Sequence, residues 1–261
     1  MTLADRTIAA LRAQHDHLAS TVAQLSPSQL TGPSGATDWT VAQLLSHLGS
    51  GAEITLATHR AALTGTAPGG QDFNRSVWDR WDALPPQDQA DGFLQHNAEL
   101  IDVLESLTPD QRATTLVDMG FLPAPIPLTS STGMRLAEST LHSWDLDVAL
   151  DPAATLHADA AQLLAEHYEG GLSFLLGFIA KRDALAEPAV IRIQDTPYSL
   201  VLDEAIALTT TATDPTATFH GPLEAAIRLI TGRLTEAHTP PDTDVTGNVS
   251  LADLRRAFPG Y

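Results

Sequence analysis

Through roughly the first 150 residues of the chain the apolar positions recur at helical spacing, and in much of the remainder they alternate with the two-residue period of strands. Ile8, Leu11, Leu18, Val22 and Leu25 predict a helix over residues 4–25, stopped by Ser26-Pro27, with residues 27–38 as a loop rich in Ser, Gly, Thr and Pro. Thr40, followed three positions later by Gln43, forms a capping-box signature that opens a second helix running to about residue 63. Leu44, His47, Leu48 and Gly51 share one side of that helix, so His47 is expected to face the interior, whereas His59, near its end, reads as solvated. Gly49 and Gly51 each cost up to about 1 kcal/mol relative to Ala inside a helix. Such a cost points to close packing or to space kept for a ligand.

Residues 74–81, with two tryptophans, read as a lid or a short helix, and residues 87–107 as a third long helix carrying His96 and Asn97. Pro123, Pro125 and Pro127 exclude a regular helix over 114–131 and suggest a covering segment. A fourth long helix is predicted over 133–150. Four long helices, each with one apolar stripe, predict an antiparallel four-helix bundle spanning residues 1–153. From 154 to 261 the pattern predicts a smaller α+β domain: one helix over 158–182, strands over 189–194, 198–202, 205–212 and 216–220, and helices over 222–231 and 251–258. The fold class is therefore α+β.

Composition narrows the possible partners. A net charge of −18 with only 14 basic residues, one of them a lysine (Lys181), excludes the clustered cations that a nucleic-acid partner requires. No apolar run approaches the roughly 18 residues of a membrane span, and the start lacks the features of a signal peptide, so the expected location is cytoplasmic. The chain has no cysteine, which removes disulfides, thiolate zinc sites and any sulfur nucleophile of its own. Thiol chemistry, if there is any, needs a thiol from outside. The expected partner is a small molecule, and the expected state a monomer or homodimer.

The candidate chemistry lies in the fourth helix. Residues three and four apart stand on one helical face, so Glu138, His142 and Asp145 point the same way, and Glu138 and His142 can converge on one ion. The same spacing also occurs on ordinary solvated helices. His47, inward on another helix, tips the balance by offering a third donor. A His–Glu–His set with no fourth protein ligand is an open site, suited to zinc and equally to ferrous iron. No phosphate-cradling glycine loop or serine nucleophile elbow is present.

These residues also carry a resemblance. Trp39-Thr40-Val41-Ala42-Gln43-Leu44-Leu45-Ser46-His47-Leu48 and Glu138-Ser139-Thr140-Leu141-His142-Ser143-Trp144-Asp145-Leu146 are similar to the two signatures of the mycothiol-dependent maleylpyruvate isomerase family. That family is a DinB-like metal-binding four-helix bundle with a small C-terminal domain, which residues 225–233 resemble more loosely. The resemblance implies His47, Glu138 and His142 as ligands of a divalent metal, usually zinc, and mycothiol as the external thiol. It also implies Arg233 as an assisting catalytic residue and gives Asp145 a supporting or packing role. Gln43 departs from the acidic residue common at its position. The implied chemistry is addition of a metal-activated thiolate to an electrophilic, anionic small molecule: cis–trans isomerisation if the thiol leaves again, S-transfer if it stays. A non-catalytic, metal-stabilised binding or regulatory module is the reading outside enzymology. Arg135 and Arg233 are the cations available to hold an enolate or carboxylate.

Overall fold

The computed structural model describes residues 1–260, which form two compact units, Met1–Ala154 and the chain from Thr155 on. The first unit opens with α1 (Leu3–Val22), a single turn α2 (Pro27–Leu30) and the long α3 (Val41–Thr64). It continues with α4 (Gly70–Asp82), α5 (Pro86–Ser106) and a short α6 (Pro109–Thr114). A small hairpin of β1 (Leu116–Val117) and β2 (Ile126–Pro127) then leads into α7 (Leu128–Leu150).

Four helices make the bundle, with α3 against α5 and α7, and α1 against α5 and α7. Helix α3 runs opposite to α7, since His47 meets Glu138 while His59 meets Ser131. Helices α3 and α5 run the same way, a departure from the antiparallel order expected, because Gly49 lies against Phe93 and Glu53 approaches His96. The reversing α4 between them makes this possible: after α3 the chain returns along α4 before α5 begins, a crossover of the kind bundles use to join parallel neighbours. Leu18, Val22, Leu44, Leu45, Leu48, Phe93 and Leu146 share one buried core, and each such side chain stabilises the fold by about 1.5–3 kcal/mol. Gly49 is required by packing. A Cβ there would lie 2.2 Å from the ring of the buried Trp81, whose indole N–H donates to Glu53 at 2.9 Å.

Several expectations need correction here. Ser26-Pro27 does not simply end a helix; Ser26 caps α2, its hydroxyl accepting from the Gln29 N–H. The segment after residue 114 is not irregular up to 131, because α7 begins directly after Pro127. Leu128-Thr-Ser-Ser-Thr reads as a polar loop, but the Thr132 hydroxyl bonds back to the Leu128 carbonyl at 2.9 Å, which lets a hydroxyl-rich turn be helical and buried. His59 is not solvated. It is 0% exposed and bonded to the Ser131 hydroxyl at 2.7 Å.

In the second unit, α8 (Ala158–Glu169) and α9 (Ser173–Ile179) replace the single helix expected over 158–182. Gly170-Gly171, the poorest helix formers short of proline, breaks it. A mixed sheet follows: β3 (Ala189–Ile193), β4 (Ser199–Leu202), β5 (Ile206–Thr209) and β6 (Ala217–His220). The chain ends with α10 (Leu223–Ile230), β7 (Asp244–Gly247) and α11 (Leu251–Ala257). The strand order is β5-β4-β3-β6-β7, parallel between β3 and β6 and antiparallel elsewhere. β7 was not predicted; it is a largely exposed edge strand without the apolar alternation that marks the others. Arg228 is buried on α10, paired to Glu224 at 2.8 and 2.9 Å and donating to the His238 carbonyl, while Glu224 also accepts from the Leu156 N–H.

Burial of His59 lowers its pKa to about 4 from an ordinary 6.5. Above the ordinary value it is neutral folded or unfolded; as pH falls from 6.5 toward 4 only the unfolded chain takes up the proton, so stability is lost across that window. The loss is on the order of 3 kcal/mol. Urea unfolding at a series of pH values should show this acid limb, and His59→Gln, which keeps a hydrogen-bonding group without the titration, should flatten it.

Candidate metal centre

The site is built from α3, α7 and the loop between α2 and α3. The capping box expected at the start of α3 forms, with the Gln43 N–H donating to the Thr40 hydroxyl at 3.2 Å and the Thr40 N–H to Gln43 Oε1 at 2.9 Å. Gln43 thus performs at its position the capping that an acidic residue would. Seven residues into α3, His47 points at α7 and donates to Glu138 Oε2 at 2.9 Å. His142 Nε2 lies 3.6 Å from the same oxygen. One donor atom from each of His47, Glu138 and His142 falls within 4.8 Å of the others.

The three donors differ in exposure. The His142 side chain is nearly buried, whereas those of His47 and Glu138 are 39% and 38% exposed, so the cluster opens toward solvent on their side. Asp145, 1% exposed, accepts from His142 Nδ1 at 2.7 Å. That bond fixes the ring and its tautomer, leaving the Nε2 lone pair aimed at the cluster. Sequence spacing had brought Asp145 to this face, and the structure shows what it touches.

Trp39 is the residue that sequence reasoning passed over. Its ring lies 5.0 Å from that of His47 and stacks on that of His142 at 5.8 Å. The loop is pinned by the Gly35 N–H donating to the Asp145 carbonyl at 2.6 Å, and a side chain at Gly35 would meet Val148 at 2.5 Å. Trp39 sits inside the first signature, immediately before the helix cap, which was the signal available.

Electrostatics favour an anionic carboxylate in the cluster. Burial pulls the Glu138 carboxyl upward, but the hydrogen bond from His47 and the nearby His142, His47 and Arg135 outweigh it and lower its pKa to about 2. Two imidazole nitrogens and an ionised carboxylate are the donor set that zinc or ferrous iron takes, and the His47 N–H bond to Glu138 sets a proton where a cation would serve. The residues present therefore fit a divalent metal.

Other expected residues lie elsewhere. Arg135 does not flank the ligand face as a group free to hold a substrate; it is 5% exposed in the bundle core, donating to the Leu48 carbonyl at 2.8 Å and to Asn97 Oδ1 at 2.9 Å. Asn97 in turn donates to His15 Nδ1 at 3.0 Å. His17 pairs with Asp147, and His96 stands beside Trp81 and Glu53. Arg233 belongs to the second unit. Its N–H bonds the Arg228 carbonyl and that of Gly232 the Leu229 carbonyl, a Schellman ending of α10 with Gly232 at φ 74°. Gly232 also leaves room for Gly260, whose Cα would be 2.3 Å from a Cβ there. The Arg233 side chain donates to the Thr231 carbonyl at 3.2 Å.

A helical bundle presenting an open two-histidine, one-carboxylate centre, joined to a small α+β unit, defines the class of protein. A family model described as the mycothiol maleylpyruvate isomerase N-terminal domain matches residues 11–147, more than half of the chain and the span that holds His47, Glu138 and His142, and the chain belongs to that family. Two crystal structures share the fold, one of the mycothiol-dependent maleylpyruvate isomerase and one of a histidine-to-alanine mutant of that enzyme. Each has a TM-score of 0.63 and 17% identity over 95% of both chains. No curated protein sequence matches the chain.

If the cluster is a metal centre, purified protein should carry about one divalent ion per chain, and His47→Ala should lose it with the helical circular dichroism preserved. Asp145→Asn should weaken the affinity by about 10–100-fold, the usual cost of removing a partner behind a ligating histidine. Elemental analysis and competition with a chelator measure both.

Proposed function

We propose that the protein is a metal- and mycothiol-dependent enzyme that isomerises a small, anionic, electrophilic alkene of the maleylpyruvate kind. The observation that carries this reading is the open His47–Glu138–His142 cluster in a chain with no cysteine. A divalent cation there would lower the pKa of a coordinated thiol so that it ionises near neutral pH. Membership of a family named for mycothiol supports a low-molecular-weight thiol as the group supplied from outside, with reversible addition to a double bond as its chemistry.

The chain's own residues have separate tasks in this reading. His47, Glu138 and His142 hold the ion, with Asp145 orienting His142 and Trp39 walling the histidine side against water. Arg233 serves the anionic substrate. Its backbone forms the α10 ending, to which its side chain adds one bond to the Thr231 carbonyl.

Two measurements test the reading. Turnover of maleylpyruvate-type alkenes by the metal-loaded protein should require added mycothiol; full activity in thiol-free buffer would point instead to a metal-bound hydroxide and hydrolysis. Product analysis separates isomerase from S-transferase: an isomer with the thiol returned supports the first, and a thioether that keeps the sulfur supports the second. A protein that binds metal but turns over no electrophile with the thiol present would be a binding module.

Arg233→Ala should lower turnover by about 10²-fold or more, as loss of a partner for developing charge typically does. Metal content should not change. Because the Schellman bonds use backbone groups, the thermal midpoint should move little, and unchanged turnover would remove Arg233 from the reaction.

A further inference from the structure

Arg135 is a buried cation without an ion-pair partner. Its guanidinium is fully enclosed, yet no carboxylate among the described residues lies within 4.0 Å of it, and both hydrogen bonds it makes go to neutral oxygens, Leu48 O and Asn97 Oδ1. Its Nε is buried with no partner. Burial lowers its pKa only to about 10, so it stays charged at neutral pH. Gly51 keeps the room for it, since a Cβ there would stand 3.1 Å from Arg135 Nη1.

Such a charge is expensive to hold in a core and is ordinarily paired. The Asn97 amide sharpens the point. With Oδ1 accepting from Arg135, its Nδ2 must donate to His15 Nδ1, so His15 is the neutral tautomer and contributes no charge. The charged group that acts on Arg135 is Glu138, three residues along the same helix, and each feels the other electrostatically.

We propose that Arg135 is a positioning residue for anions: a fixed positive charge behind Glu138 that leaves the loaded metal centre with a surplus of positive charge, which a thiolate or an anionic substrate neutralises. This rests on the metal reading of the site. Two neutral histidines, the Glu138 and Asp145 carboxylates, a divalent ion and Arg135 sum to one positive charge, against none without the arginine. The charge that helps an anion enter therefore opposes the metal. That opposition separates it from a brace, whose loss would loosen α3 from α7 and weaken metal binding.

The test is the affinity for Co²⁺, by competition with a chromophoric chelator, and then the affinity of the Co²⁺-loaded protein for thiocyanate, by visible spectroscopy. Arg135→Met should bind Co²⁺ about tenfold more tightly or better, and thiocyanate about tenfold more weakly. Arg135→Lys, which keeps the charge, should stay near the wild type in both. Asn97→Asp should behave as Arg135→Met does, because the new carboxylate neutralises the guanidinium while still accepting its hydrogen bond, and its other oxygen accepts from His15 Nδ1 in that ring's other neutral tautomer; it serves if Arg135→Met fails to fold. Unchanged or weaker Co²⁺ binding by folded Arg135→Met and Asn97→Asp, or unchanged thiocyanate affinity, would overturn the proposal. Wild-type protein that binds no Co²⁺ would overturn the metal reading itself, and this inference with it.

Discussion

One buried hydrogen-bonded chain ties the bundle together. Arg135 on α7 donates to the α3 backbone at Leu48 and to Asn97 on α5, and Asn97 donates to His15 on α1. All four helices meet in it, and it crosses the bundle one residue from His47 and three from Glu138. Apolar packing is tolerant of small shifts, whereas a guanidinium, an amide and an imidazole accept only narrow ranges of distance and angle. Breaking one member leaves a buried polar group unsatisfied, at about 1–3 kcal/mol for a neutral group and more for a charged one. The helices that carry the metal-ligand candidates are thereby held in register by directional bonds as well as by the leucine core.

The same constraint explains the polarity of α7. Ser131, Thr132, Arg135, Ser139, His142, Ser143 and Asp145 are all buried on it, a composition that an ordinary bundle helix would avoid. Much of this polar content is answered: Ser131 meets His59, Thr132 bonds its own helix, and Asp145 holds His142. Helix α7 therefore orients polar side chains while burying Leu128, Leu136, Leu141, Trp144 and Leu146 as well. Its polar side chains need room on the facing helices, Gly51 beside Arg135 being the plainest case.

Periodicity in the sequence located the four long helices, because their apolar stripes are long and regular, and set His47 on the side of α3 that meets α7, where its side chain stays 39% exposed. The Glu138, His142 and Asp145 face was legible for the same reason. His59 was misread where residue type was allowed to overrule spacing: Leu48, Ala52, Leu56 and His59 follow one another at four, four and three residues, and all are buried. Arg135 was misread by treating three residues as a full turn. Three residues cover about 300° of a helix, so Arg135 stands about 60° around the axis from Glu138 and enters the core. The β7 edge, the α2 turn and the early start of α7 left no apolar pattern to read, since hydroxyl bonds, caps and strand pairing hold them. Trp39 could be seen as part of a motif, but its contact with His47 and its stacking on His142 depend on a loop anchored to residue 145, far along the chain.

The net charge of −18 appears at first to disfavour any anion at this site. Position matters more than the total. Many of the acidic groups are on the surface, where water and salt confine each field to about 8 Å at physiological ionic strength. Arg135 and Glu138 act through a partly dehydrated interior, where each charge counts for several times as much as one at the surface. The local sum at the centre can then be positive while the molecule as a whole is strongly negative. Surface acidity and an anion-accepting centre are compatible because water separates them electrostatically, and one buried arginine can outweigh many exposed carboxylates.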